Sequence, residues 1–116
     1  MIAALRRVLP YAFGFCLLLL AVLSWTPGPD LPRTELNSKL EHFIAYAGTM
    51  LIGRLAWPAR RYTAAMVGGL SAFSGLMELG QFIAPGRHPS VWDFLVSSAG
   101  VVTSALLLCL FATRST

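Results

Sequence analysis

Apolar residues fall into four long runs separated by breaks that each contain proline: "TPGPDLPRTELNS", "PARR" and "APGRHP". The runs cover about residues 8–25, with "FCLLLLAVL" at its heart, then 39–57, 62–83 and 91–112. Proline interrupts a helix by removing a backbone donor and crowding the preceding turn, so each break marks a helix boundary. The hydrocarbon core of a bilayer is crossed by about 20 apolar residues in helix, and each run has roughly that length. The pattern therefore predicts an all-α membrane protein, a bundle of four transmembrane helices formed by a single domain of 116 residues.

Composition supports this reading. Hydrophobic residues make up 56% of the chain and charged residues 12%, where a soluble domain carries about 25% charged. Mean hydropathy is +0.67. The net charge is +4, but the nine Lys and Arg residues are scattered and form no basic stripe among stacking aromatics, which excludes nucleic acid as a partner. Cys16 and Cys109 sit in apolar runs far from any histidine and read as small packing side chains. No Cys/His spacing resembles a zinc site, so neither metal nor cofactor is expected. Arg6 and Arg7 precede the first run, yet no small-x-small cleavage site precedes "SWTPGPD", so that run is expected to stay as a helix.

Charge distribution sets the expected orientation. Arg6, Arg7, Arg54, Arg60, Arg61 and Arg114 fall on one side of the four spans, Arg33, Lys39 and Arg87 on the other. Positive charge gathers on the cytoplasmic side, which puts both termini in the cytoplasm of a multi-pass protein of the cytoplasmic (inner) membrane. Trp25, Trp57 and Trp92 fall at span ends, as interfacial anchors do, and Arg54 is expected to snorkel to the headgroups. Gly68, Ala72 and Gly75 in "GGLSAFSG" are spaced for close helix packing.

Against this apolar background the polar residues stand out. Sixteen uncharged residues, 62–77, lead to Glu78, with Gln81 three further on. Lys39, His42 and Tyr46 lie three and four apart on the second run, and Asp93 and Ser97 four apart on the fourth, so each set shares a helix face. At 1.5 Å rise per residue, Glu78 lies roughly 8 Å and Tyr46 and Ser97 about 10 Å below the outer helix ends. Three helices thus bring polar faces into one layer of the outer leaflet, with Arg87 in the loop above. An ionisable group facing lipid is costly, so Glu78 needs a partner, and Arg87, His42 and Lys39 are the candidates. Two carboxylates also have a local reading. Ser38 with Glu41, and Ser90 with Asp93, have capping-box spacing, and Glu41 is read as a cap.

These residues carry a family resemblance. "KLEHFIAY" resembles the Lys-x-x-His-Phe-x-x-Tyr motif of VanZ-like bacterial membrane proteins, and "ELGQFIAPGRHPSVWDFLVSSAG" resembles their Glu-x-x-Gln…Pro-Gly-Arg…Asp…Gly signature. The match runs in order over about residues 24–100 and includes Lys39, His42, Tyr46, Glu78, Gln81, Arg87 and Asp93. Ser38 stands where the family often has an acid, Ser97 where it commonly has asparagine, and Ser104 where glycine is usual. The family is named for a protein associated with resistance to the glycopeptide teicoplanin. The resemblance thus implies an antibiotic-facing cell-envelope setting and supplies no reaction.

Three functions compete. In the first, Lys39, His42, Tyr46, Glu78, Gln81, Arg87, Asp93 and Ser97 line an outward-facing pocket for an anionic, lipid-linked or amphiphilic envelope ligand. In the second, Glu78 or Asp93 works with His42 as acid and base on a lipid headgroup. In the third, the polar cluster clasps helices for packing or assembly. Membrane lipids are expected partners in each case, and an oligomer remains open.

Overall fold

The computed structural model describes residues 2–25, 38–83 and 91–115, with side chains described over 3–25, 39–83 and 91–110. Four helices account for nearly all of these residues: α1 (Ile2–Trp25), α2 (Ser38–Ala56), α3 (Tyr62–Gly80), which tightens into a 3-10 turn at Gln81–Ile83, and α4 (Val91–Ser115). Among the described residues there is no strand. Residues 26–37 and 84–90 lie outside them, and with them Arg33, Arg87, His88 and Ser90.

The predicted boundaries need two corrections. Helix α1 starts at Ile2 rather than near residue 8 and contains Pro10. Proline at that point leaves one carbonyl of the preceding turn without its amide partner, but the residues on both sides stay helical. Helix α4 runs on to Ser115, past the expected end near 112. Elsewhere the ends agree to within two or three residues. Helix α2 opens with Glu41 in its first turn. Pro58 follows α2 closely, and α3 begins after Tyr62 N–H donates to the Ala59 carbonyl at 3.0 Å.

The register between helices can be read from layers of contact. Between α2 and α3, His42 faces Glu78, Tyr46 faces Ser74, and Met50 and Leu70 share the core. Each step of four up α2 is a step of four down α3, so the two are antiparallel. Lys39 meets Asp93 and the Phe43 carbonyl abuts Gly100, which makes α2 and α4 parallel. The Phe13 ring packs edge-on to Trp57 at 5.5 Å, while the Trp25 indole N–H donates to the Met77 carbonyl at 3.2 Å, so α1 runs with α3. The helices alternate in direction, and both termini lie at the same end of the bundle.

The bundle buries polar side chains beside its apolar core and exposes many large apolar ones. Its buried residues include Thr49, Ser74, Glu78, Gln81, Ser97 and Ser104. Its outer surface carries Leu18, Val22, Ile44, Leu51, Leu76, Leu79, Leu106 and Leu110 among many other exposed apolar side chains. Soluble monomers rarely expose contiguous apolar surface on this scale. By length and composition two helices suffice to cross a bilayer, Ala3–Trp25 and Val91–Leu110. Helices α2 and α3 are 19 residues each, about 28 Å at helical rise. They hold three of the six buried polar residues, Thr49, Ser74 and Glu78.

One further expectation changes. A methyl group at Gly68 would meet nothing within 4 Å, so of the two glycines in the stripe of α3 only Gly75 packs closely, against the Phe94 ring. The tightest glycine contacts lie elsewhere: at Gly53 against Phe13 and Met66, at Gly80 against Trp25, and at Gly100 against Phe43 backbone. Arg54 also has a structural role at the end of α2. Its guanidinium donates to the carbonyls of Trp57 at 2.7 Å, Ala59 at 2.9 Å and Pro58 at 3.1 Å, closing the C-terminal end of α2 where backbone acceptors have lost their helical partners.

Candidate functional site

The polar residues of α2, α3 and α4 meet near the end of the bundle where α2 and α4 begin. His42 Nε2 lies 3.9 Å from Glu78 Oε1, and Lys39 Nζ lies 4.0 Å from Asp93 Oδ1. One donor atom from each of His42, Glu78 and Asp93 falls within 4.8 Å of the other two. Glu78 is 9% exposed. An acid this well covered among apolar helices is tolerable only where positive or hydrogen-bonding groups surround it, and α2 supplies them. Lys39 is half-exposed at 52% and stands at the mouth.

One turn deeper the cluster continues. The Tyr46 phenol is buried and hydrogen-bonded with the Ser74 hydroxyl, with Glu78 close enough for its charge to act on the ring oxygen. Gln81, 3% exposed, sits in the 3-10 turn just past Glu78. Ser97 is 0% exposed, and its hydroxyl has no hydrogen-bond partner; nor has that of neighbouring Ser98. Buried hydroxyls on helices usually bond back one turn, as Thr49 does to the Ala45 carbonyl at 2.8 Å. Ser97 lies on α4 between Asp93 and the point where Gly100 touches Phe43, so its hydroxyl lies below the acid–imidazole cluster.

Of the eight expected site residues, the structure brings Lys39, His42, Tyr46, Glu78 and Asp93 into one cluster, with Gln81 and Ser97 buried beside it. Arg87 lies outside the described residues. No family model, curated protein or solved structure matches the chain.

Sequence reasoning passed over the apolar side of the site. A groove of about 570 Å³ runs between α3 and α4, lined by Ala72, Leu76, Leu79, Phe82, Val91 and Phe94, and Glu78 also reaches its wall. Among its described lining residues Glu78 is the ionisable one. The signal for it was present, since Ala72, Leu76 and Leu79 recur at helical spacing, but nothing linear shows which neighbour leaves that face open. A second hollow, about 520 Å³, lies at the opposite end between Phe13, Trp57, Tyr62, Met66 and Phe73. It is lined by apolar and aromatic side chains and has no link to the cluster.

Proposed function

We propose that this chain is a VanZ-like protein of the cytoplasmic membrane, spanning it four times, whose polar cluster opens to the outer leaflet and receives the anionic head of an amphiphilic envelope ligand. Lys39 attracts the charge, Tyr46 and Gln81 orient the head, and the groove between α3 and α4 takes the apolar tail. The observation that carries this reading is the double position of Glu78. The same carboxylate faces His42 at 3.9 Å and lines the apolar groove, so polar head and hydrocarbon tail would meet their own surroundings within one residue. The apolar exterior of the bundle and the polar residues buried on α2, α3 and α4 support the membrane setting. A basic group at the mouth suits phosphate or carboxylate.

The acid–base reading rests on the same His42–Glu78 contact, which places a proton donor and acceptor side by side at a ligand's head. Turnover of headgroup-labelled envelope lipids by the purified chain, lost in His42→Ala, would mark it.

Binding is tested with the purified chain in detergent by native mass spectrometry, offering an anionic and a zwitterionic phospholipid of equal chain length. The anionic lipid is expected to be retained selectively, with retention lowered by Lys39→Glu through charge and by Ala72→Phe through blockage of the groove. Equal retention of both lipids, unchanged in both variants, refutes the reading.

A further inference from the structure

His42, Glu78 and Asp93 come from three different helices, yet their ligand atoms gather within 4.8 Å. One imidazole and two carboxylates form a donor set suited to zinc and its first-row neighbours, whereas calcium and magnesium prefer oxygen alone. Around a tetrahedral zinc with bonds of about 2.0–2.2 Å, donor atoms stand roughly 3.3–3.6 Å apart. The His42–Glu78 separation of 3.9 Å is already close to this. Small side-chain rotations would bring in Asp93, and the helices would stay where they are.

Two features point to a cation and away from a clasp. The first is the pair of carboxylates drawn together in a covered site, where like charges repel unless positive charge lies close by. Lys39 lies 4.0 Å from Asp93 and His42 3.9 Å from Glu78, and a divalent ion held by both acids would neutralise them together. The second is Ser97, whose fully buried hydroxyl has no hydrogen-bond partner. It lies one turn below Asp93, and buried polar atoms of this kind are normally satisfied. A water carried by the cation would give it a partner.

We infer that His42, Glu78 and Asp93 bind one divalent transition-metal ion of the zinc class, with Ser97 contacting a metal-borne water. Lys39 competes with the ion for Asp93. The inference is independent of the amphiphile reading: either ligand can bind without the other, and the test below contains no added lipid.

The test uses the full, tag-free chain in detergent, stripped with a chelator and titrated with Co²⁺. The expected result is a visible d–d band more intense than that of the aqueous ion, saturating at one Co²⁺ per chain and displaced by Zn²⁺. His42→Ala and Asp93→Asn are expected to weaken binding by more than the roughly 10- to 100-fold that loss of a supporting residue costs. Lys39→Ala is expected to match or exceed the wild-type affinity. Because the variants can fail to fold, a second measurement uses the unaltered chain: carbethoxylation of His42, read by mass spectrometry with His88 as internal reference. Zinc is expected to protect His42 selectively. An aqueous-ion spectrum throughout the titration, a band surviving in folded His42→Ala, or equal His42 modification with and without zinc overturns the proposal.

Discussion

Among the described glycines, Gly100 is the one where an added methyl group would meet backbone, which makes Gly100→Ala a demanding perturbation. A methyl group at Gly100 would lie 2.5 Å from the Phe43 carbonyl oxygen and 3.2 Å from its Cα and carbonyl carbon. Non-bonded atoms settle at about 3.5–4.0 Å, so α2 and α4 must separate locally by roughly 1 Å. No rotamer change can absorb this, because the obstructing atoms are backbone. Overpacking of this kind costs about 1–3 kcal/mol. Alanine also gains about 1 kcal/mol of helix propensity over glycine, which would mask part of the loss. Gly69→Ala removes that ambiguity: it takes the same gain on α3, where a methyl group meets nothing within 4 Å. The difference in melting temperature between the two variants in detergent, followed by far-UV circular dichroism, isolates the clash. At roughly 4 °C per kcal/mol for a chain of this size, Gly100→Ala should melt about 4–12 °C below Gly69→Ala. Moving α2 from α4 also draws His42 away from Asp93, so cobalt binding should weaken in the same variant. Equal melting of the two variants would refute the close approach and the register built on it.

Gly53→Ala should cost less than Gly100→Ala, about 1 kcal/mol or below, because the atoms in its way are the far ends of the Phe13 and Met66 side chains; thermal melts in the same detergent check the ranking. Glu78→Gln should shift the melting temperature by only a few degrees, since the near-isosteric amide still hydrogen-bonds in the covered site and removes a buried carboxylate whose desolvation offsets its contact with His42. It should nevertheless abolish cobalt binding. A collapse of stability would instead favour the clasp. Arg54→Ala removes three hydrogen bonds to the Trp57, Pro58 and Ala59 carbonyls, each worth about 0.5–1.5 kcal/mol at most; faster proteolysis between α2 and α3 is the expected readout. In a variant lacking Cys16 and Cys109, cysteines placed at Asp30 and Arg87 should react with an impermeant thiol reagent added outside intact cells, while one at Arg60 should not. The reverse pattern would invert the proposed topology.

The helices were legible because their signals are local. Proline breaks and apolar length marked four elements in the right order, and only the ends of α1 and α4 moved. The expected start near residue 8 left Arg6 and Arg7 outside, but α1 begins at Ile2 and carries Pro10 within it; a helix tolerates one missing hydrogen bond when helical residues continue beyond it. The glycine pattern misled for a related reason. Gly68 and Gly75 are spaced as packing glycines are, yet only Gly75 has a neighbour. Gly100, whose role is the strictest, has no distinctive spacing at all. Which glycine matters depends on where another helix lies, and spacing along one chain carries no such information.

The chain by itself determined that polar groups on three helices fall at similar depth, because helical rise and face follow from residue number alone. Only the tertiary structure decided which of them meet. The pairing of His42 with Glu78 and of Lys39 with Asp93 depends on the rotation of α2 against its neighbours, and that rotation is set by packing at Gly100 and in the Met50–Leu70 core. The groove beside Glu78 depends on the same rotation, since its described lining comes from α3, the 3-10 turn and α4 alone. Distance along the chain orders residues on one helix; the angle between helices, a property of packed side chains, assembles a site.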